Sequence, residues 1–246
     1  MITFMAVTTF NAEGLLKYGR KMVDSFHRQW PDTVGMRVYS EGWREEMPGA
    51  CVVDLETSSD WLTYFKARHR ERPTSNYRMD AVRFSHKIAA LIAADEHMSS
   101  QYLIWMDGDI FTHSPITTVD LATLLPGNGA WIAWLPRKFA YPECGFYIID
   151  RLHIRHKEMM SRLRAMYDGD LLFREKEWHD SYIMQRVVET AGIATTNLSG
   201  RGYSTAHPFI NGPLGKWMDH MKGKRKEKGR SHRTDLRVTR KEQYWR

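Results

Sequence analysis

Two aspartates separated by one glycine offer the clearest candidate chemistry in the sequence. Asp107 and Asp109 directly follow the apolar run Tyr102–Met106, and Ile110 and Phe111 come after them. Five consecutive apolar residues are typical of a strand buried on both faces of a parallel sheet. Carboxylates at the end of such a strand can hold a divalent cation, and the glycine allows a tight turn between them. This setting favours a site for Mg²⁺ or Mn²⁺ over an exposed turn, the other common place for Asp and Gly.

The elements that must position these aspartates alternate along the chain. Apolar residues at three- and four-residue steps predict helices, and short β-branched or aromatic runs predict strands. The predicted strands are residues 2–10, 37–40, 51–54, 102–106, 130–135, 145–149 and 193–196, and the predicted helices are about 15–30, 79–98, 153–167 and 179–191. Residues 56–78 have weak periodicity, and we assign no element there. The alternation predicts an α/β/α sandwich with a mostly parallel central sheet, in which ligands bind beyond the carboxyl ends of the strands.

Composition limits the classes of protein to which this chain can belong. Of its 246 residues, 42% are hydrophobic and 26% are charged, which is typical of a globular protein and excludes a disordered or fibrous one. No apolar run approaches the roughly 20 residues that span a bilayer, and the first residues lack the pattern of a secretory leader. Two cysteines cannot form a disulfide framework. We therefore expect a soluble protein of the reducing cytoplasm.

Positive charge is concentrated in the C-terminal part of the chain. Residues 216–246 contain twelve Lys and Arg against four Asp and Glu, whereas residues 1–215 are close to neutral. Such a segment indicates a polyanionic partner, such as nucleotide phosphates, nucleic acid or anionic lipid. The ordinary alternative for the lysine-rich residues 222–226 is a solvated surface. We predict a main domain, residues 1–228, followed by a basic tail, residues 229–246.

The segment around the two aspartates resembles the Asp-X-Asp motif of GT-A-fold glycosyltransferases, and the local pattern is similar to family eight and related phage and bacterial enzymes. Such enzymes transfer a sugar from a nucleotide-sugar donor with the help of a divalent metal. The resemblance covers about residues 2–228 at the level of motifs. It implies a Rossmann-like GT-A fold for this domain, a donor of the uridine type, transfer of a hexose or a pentose, and a bacterial or phage-infected host cell.

The resemblance also assigns residues to the donor and metal sites. His220, Gly223 and Lys226 match a His-x-x-Gly-x-x-Lys arrangement, in which the histidine completes the metal shell and the lysine meets the diphosphate. His207 is the alternative third metal ligand beside Asp107 and Asp109. The residues expected to contact the donor are Thr8, Thr9, Phe10, Asn11, Arg83, Lys87, Asp107, Gly223 and Lys226. A cation and a lysine there would neutralise the charge that grows on the leaving diphosphate.

Glu143 and Asp180 are the candidates for catalysis at the acceptor. Glu143 opens the segment Glu143–Phe146, which resembles the glycine-containing segment that follows the metal strand in such enzymes, and Asp180 opens a predicted helix. A base that takes the proton of the acceptor hydroxyl would give inversion, whereas retention needs a nucleophile or a donor-assisted route, and the sequence does not choose between them. The structural alternatives are a loop end for Glu143 and a helix N-cap for Asp180.

Two other functions agree with parts of the sequence. A nucleic-acid-binding module would use the basic tail with His232, Tyr244 and Trp245, but it would leave the strand-end aspartates without a role. A nucleotidyltransferase also binds metal on paired aspartates, but it usually has a further metal carboxylate and a glycine-rich phosphate loop, which we do not find. For a glycosyltransferase, the acceptor stays open between a glycan and modified DNA, whose phosphates the tail would hold.

Overall fold

A sheet of seven strands organises the computed structural model, which describes residues 2–72, 75–200 and 207–246. The strands are β1 (Phe4–Asn11), β2 (Val34–Glu41), β3 (Cys51–Asp54), β4 (Tyr102–Met106), β5 (Ile110–Thr112), β6 (Ala130–Arg137), β7 (Ala140–Asp150), β8 (Ala194–Asn197) and β9 (Met218–His220). The central sheet has the order β3–β2–β1–β4–β7–β6–β8, and within it only β7 runs against the other strands. Strands β5 and β9 pair in a small antiparallel sheet. The predicted mostly parallel central sheet is confirmed.

Helices connect the strands of the sheet. They are α1 (Ala12–Gly14), α2 (Arg20–Gln29), α3 (Leu55–Ser58), α4 (Leu62–His69), α5 (Ala81–His97), α6 (Thr118–Ala122), α7 (His156–Asp168), α8 (Asp180–Ala191), α9 (Pro208–Asn211) and α10 (Arg225–Lys228). A π-helical segment, Leu15–Gly19, joins α1 to α2, so the predicted first helix is present with one widened stretch. Among the described residues, no helix combines the length and the apolar character that crossing a membrane requires.

The four long helices that the periodicity predicts are all present, but residues 56–78 are not free of structure. They contain most of α3, all of α4 and most of a single turn of 3₁₀-helix, Tyr77–Met79. Helix α4 buries Leu62 and Phe65 but exposes Tyr64. A helix of only eight residues offers too few turns for a clear apolar stripe, which explains why periodicity did not reveal it.

Apolar side chains cover both faces of the central sheet. On β4, Tyr102, Ile104 and Met106 belong to one core layer, whereas Leu103 and Trp105 belong to the other, because alternate residues of a strand point to opposite faces. The first layer includes residues of α2, α9 and the small sheet, and the second includes residues of α3, α4, α5, α7 and α8. The α/β/α sandwich is therefore confirmed, and both core layers converge on the strand that leads to the two aspartates.

The basic C-terminal segment, residues 229–246, packs against the rest of the chain. Trp245 is 2% exposed, and its indole N–H donates to the backbone oxygen of Gly215 at 2.7 Å. The guanidinium of Arg240 donates to the backbone oxygen of Ile210 at 3.0 Å. The boundary after residue 228 stays a prediction, but these contacts show that part of the segment is built into the structure beside β9.

Asp219 on β9 anchors this segment. It is 0% exposed and accepts hydrogen bonds from the backbone N–H of Ser231 (2.6 Å), the hydroxyl of Ser231 (2.6 Å) and the hydroxyl of Tyr244 (2.8 Å). We expect Asp219→Ala to lower the free energy of unfolding by about 3–5 kcal/mol, because it leaves buried donors without an acceptor. Urea unfolding followed by tryptophan fluorescence measures the change. The exposed control Asp32→Ala should stay within about 0.5 kcal/mol of wild type, and equal stabilities of the two variants would contradict the anchor.

Candidate active site and metal centre

A cleft with two connected lobes lies at the carboxyl ends of β1 and β4. The first lobe has a volume of about 690 Å³ and the second about 1160 Å³. The residues that line both lobes are Arg83, Phe84, Lys87, Asp107, Asp109 and Lys226. The two lobes therefore share a floor that contains both predicted aspartate ligands, at the edge of the sheet where ligands of α/β proteins bind.

Asp107, Asp109 and His220 converge at this floor. One ligand atom from each residue can be chosen so that all three lie within 4.8 Å of one another. Nε2 of His220 is 3.0 Å from Oδ1 of Asp109 and 3.7 Å from Oδ2 of Asp107. The aspartates follow Met106 at the end of β4, and the small sheet pairs Ile110 with His220. The pairing of β5 with β9 thus brings a residue from far along the chain beside the aspartate loop.

The donor set fits a divalent cation. Carboxylate oxygens and an imidazole nitrogen suit Mn²⁺ and Mg²⁺, although nitrogen suits Mn²⁺ better. The carboxylates of Asp107 and Asp109 face the same ring nitrogen, Nε2 of His220. A bound cation would replace the proton on this nitrogen. Burial alone would lower the pKa of His220, but the charge of Asp109 and hydrogen bonds to Asp109 and Glu143 raise it to about 9. Asp109 and Glu143 therefore already stabilise a positive charge on the His220 ring.

Glu143 supports the other side of the His220 ring. Its Oε1 is 2.7 Å from Nδ1 of His220 and 3.1 Å from Nζ of Lys222. Burial acts to raise the pKa of Glu143, but the charge of Lys222 and the contacts with His220 outweigh it and hold the pKa well below its usual value. The side chain is 2% exposed and lines neither lobe, so the predicted action of Glu143 on the acceptor does not fit its position. A carboxylate behind a histidine ligand instead fixes the orientation and tautomer of the ring.

Lys226 reaches the floor from α10. Its Nζ lies 3.0 Å from Oδ2 of Asp109 and 4.6 Å from the centre of the Tyr18 ring. Asp109 is 7% exposed; burial acts to raise its pKa, but His220 and Lys226 hold the pKa below its usual value. Gly223 has a φ of +57°, which glycine adopts without strain, and it lines the second lobe. The predicted Gly223 and Lys226 are therefore both placed at the cleft.

Lys87 and Asp180 form a buried ion pair next to Asp107. Nζ of Lys87 is 2.7 Å from Oδ2 of Asp180 and 2.9 Å from Oδ1 of Asp107, and it also donates to the backbone oxygen of Cys144. Burial acts to lower the pKa of Lys87, but the two carboxylates raise it well above its usual value. Burial likewise acts to raise the pKa of Asp180, and Lys87 outweighs it and lowers the pKa. Lys87 thus holds Asp107 in place instead of offering a free charge to a diphosphate.

Asp180 and Arg83 both line the cleft. Asp180 is the first residue of α8 and lines the second lobe, but the N-cap is His179, whose ring accepts from the backbone N–H of Tyr182. Arg83 lies one turn before Lys87 on α5, is exposed, and lines both lobes. A charge at Arg83 is therefore available to a ligand, whereas the charge at Lys87 is already neutralised.

The end of β1 contributes three of its four predicted residues to the first lobe. Thr9, Phe10 and Asn11 line that lobe. Thr8 is 0% exposed and lines neither lobe, because it lies deeper in the strand, paired with Val38 of β2. The predicted contact between Thr8 and a nucleotide therefore does not fit the structure.

His207 stands apart from the aspartates. Its Nε2 is 3.1 Å from the hydroxyl oxygen of Ser231, and its ring centre is 6.5 Å from that of His220. Burial lowers the pKa of His207. Of the two histidines considered as the third ligand, the structure places His220 with the aspartates and gives His207 a contact in the C-terminal segment.

Solved structures share this architecture at low sequence identity. Mouse xyloside xylosyltransferase 1 matches with a TM-score of 0.52 and 12% identity over 80% of this chain and 85% of its own. The chain has the GT-A fold. The glycosyltransferase GlyE of Streptococcus pneumoniae TIGR4 and the bifunctional glycosyltransferase WbbM both match with a TM-score of 0.50 and 11% identity, and the chain spans 46% and 39% of their respective lengths. No protein-family model matches the sequence, and no curated protein matches it significantly.

Glu41 and Tyr18 line the first lobe, although neither was predicted from the sequence as a site residue. Glu41 is the last residue of β2, and its Oε1 accepts a hydrogen bond from the hydroxyl of Thr9 at 2.9 Å. An acid at the end of the second strand of a doubly wound sheet is suited to bind ribose hydroxyls. The sequence could have indicated Glu41, because it directly follows the predicted strand 37–40. Tyr18 lies near Asp109, and burial raises its pKa to about 12, so it stays a neutral hydroxyl. No pattern in the sequence indicated Tyr18.

Proposed function

We propose that the protein is a metal-dependent glycosyltransferase that transfers a sugar from a nucleotide diphosphate sugar of the uridine type to an acceptor. The observation that carries this proposal is the group Asp107, Asp109 and His220, whose two aspartates line both lobes of the cleft. A donor in one lobe and an acceptor in the other can then meet at this group, which would hold the cation that binds the diphosphate. The sugar is a hexose or a pentose, and the metal is Mn²⁺ or Mg²⁺.

We assign the first lobe to the nucleotide. Thr9, Asn11 and Glu41 line it with groups that bond to a nucleoside, and Glu41 presents a carboxylate to ribose hydroxyls. The diphosphate then lies over the shared floor, between Arg83 and Lys226. The sugar points to the second lobe, where the acceptor binds.

The residues of the floor stabilise the leaving group. Asp107, Asp109 and His220 would hold a divalent cation, which would supply Lewis-acid stabilisation of the diphosphate. Lys226 adds a positive charge beside Asp109, at 3.0 Å. Glu143 fixes the His220 ring from behind, at 2.7 Å.

The transfer exchanges one bond at C1 of the sugar. The bond from C1 to the diphosphate oxygen breaks, its electron pair stays on the diphosphate, and a bond forms from C1 to the acceptor oxygen. Asp180 lines the acceptor lobe, but its ion pair with Lys87 at 2.7 Å makes it a weak base. We therefore assign Asp180 to hydrogen bonding of the acceptor hydroxyl, whose proton passes to the leaving diphosphate.

Calorimetry with a panel of UDP-sugars, with and without Mn²⁺, tests the proposal. We expect at least one donor to bind only with the metal and to release UDP slowly by hydrolysis, and EDTA to abolish both. Release of UMP and sugar phosphate instead would indicate nucleotidyl transfer. If no nucleotide sugar and no nucleoside diphosphate binds with Mn²⁺ or Mg²⁺, the proposal is wrong.

A further inference from the structure

The rim of the second lobe presents exposed aromatic rings beside positive charges. Lys138 and Phe139 form the two-residue turn between β6 and β7, and both are exposed, Phe139 to 81%. Nζ of Lys138 is 5.1 Å from the centre of the Phe139 ring. Elsewhere on the same rim, Tyr77 is 57% exposed and is followed by Arg78. A large aromatic side chain at the tip of a hairpin contributes little to the core, so the ring of Phe139 is free to stack against a ligand in the second lobe.

Among the charged side chains that line the second lobe, cations outnumber anions. Asp107 and Asp180 are both paired with Lys87, and Asp109 is paired with Lys226. The lining residues that form no ion pair within the described part of the chain are Arg83, Arg137 and Lys138. Unpaired cations around a cleft attract an anionic ligand. The donor diphosphate accounts for Arg83, but a neutral glycan would leave Arg137 and Lys138 without an anionic partner.

We propose that the acceptor is a single-stranded nucleic acid that carries a free hydroxyl group, with one base stacked on Phe139 and its phosphates next to Lys138 and Arg137. The proposal rests on the proposed function, because that function assigns the second lobe to the acceptor. Alternating aromatic platforms and cations are the means by which proteins hold single strands, since every base offers a flat face for stacking. A duplex keeps its bases stacked on one another and so withholds them from the Phe139 ring.

Fluorescence anisotropy of the full chain with a labelled single-stranded DNA of about 12 nucleotides tests this inference. We expect Lys138→Ala/Phe139→Ala to weaken binding by about tenfold or more and to reduce the slope of log K against log salt by about 0.7. The matched control is Ile154→Ala/Lys157→Ala, which removes one exposed lysine and one exposed apolar side chain after β7, at the sheet edge away from the cleft. The control should bind within about twofold of wild type.

Two further probes separate stacking from charge. An abasic oligonucleotide and an inorganic polyphosphate of the same charge should both bind about tenfold more weakly than the DNA, because they offer no base to Phe139. Equal binding of either probe, or equal binding of the two variants, overturns the inference and favours a charged glycan as acceptor.

Donor binding separates this inference from the proposed function. The Lys138→Ala/Phe139→Ala variant should bind UDP and Mn²⁺ like wild type, because neither side chain lines the first lobe. If UDP binds but the DNA does not, the inference fails and the transferase proposal stands. If the DNA binds with the expected dependence on Phe139 but UDP and metal do not bind, the binding surface stands and the transferase proposal fails.

Discussion

Asp109→Asn is expected to lower the rate of donor hydrolysis by at least about a thousandfold and to abolish measurable Mn²⁺ binding. The change keeps the size of a side chain that is 7% exposed but removes its negative charge. His220 and Lys226 each lie 3.0 Å from Asp109 and lose its negative charge in this variant, so their own positive charge then disfavours a bound metal cation. Chromatographic measurement of released UDP and calorimetric titration with Mn²⁺ give the two effects.

Asp24→Asn is the matched control for this experiment. Asp24 is exposed on α2 and lines neither lobe, so we expect its variant to retain the activity and metal affinity of wild type. A thermal unfolding curve for Asp109→Asn shows whether the chain remains folded, which separates loss of the site from loss of the fold. Retention of a tenth or more of the wild-type rate would show that Asp109 does not bind a catalytic metal.

The sequence predicts the elements of the fold better than it predicts how they meet. Residues 102–106 are apolar without interruption because β4 is buried on both faces, so both the strand and the position of Asp107 at its end were accessible. The pairing of β5 with β9 involves only three residues on each side, too few for periodicity to reveal. His220 was therefore assigned through a family spacing, and the structure supplies the physical reason for its position.

The roles of charged residues depended on contacts that periodicity cannot report. Arg83 and Lys87 share a helix face, and both were predicted to meet a diphosphate. Lys87 is buried and paired with two carboxylates, whereas Arg83 is exposed to the cleft. Glu143 was predicted to face the acceptor and instead faces His220. Hydrophobic patterns indicate which positions are buried, but the partner of a buried charge comes from another element.

Gly145→Ala is expected to disable the metal centre although it adds only one methyl group. A Cβ at this position would lie 2.2 Å from Cε1 and 2.5 Å from Nδ1 of His220, far closer than atoms approach without a shift. The ring cannot yield easily, because it is 1% exposed and is held by Glu143 and Asp109. We expect the affinity for Mn²⁺ with UDP to fall by about 100-fold, as measured by calorimetry.

Gly127→Ala is the control, since its added Cβ would meet only Thr196, at an ordinary 3.4 Å. A double-mutant cycle with His220→Ala then tests the cause of the defect. Once the imidazole is removed, the methyl group at position 145 has space, so Gly145→Ala/His220→Ala should bind metal no more weakly than His220→Ala alone. If the two effects add in full, the methyl group acts elsewhere, and the close packing of Gly145 against His220 is not what maintains the metal ligand.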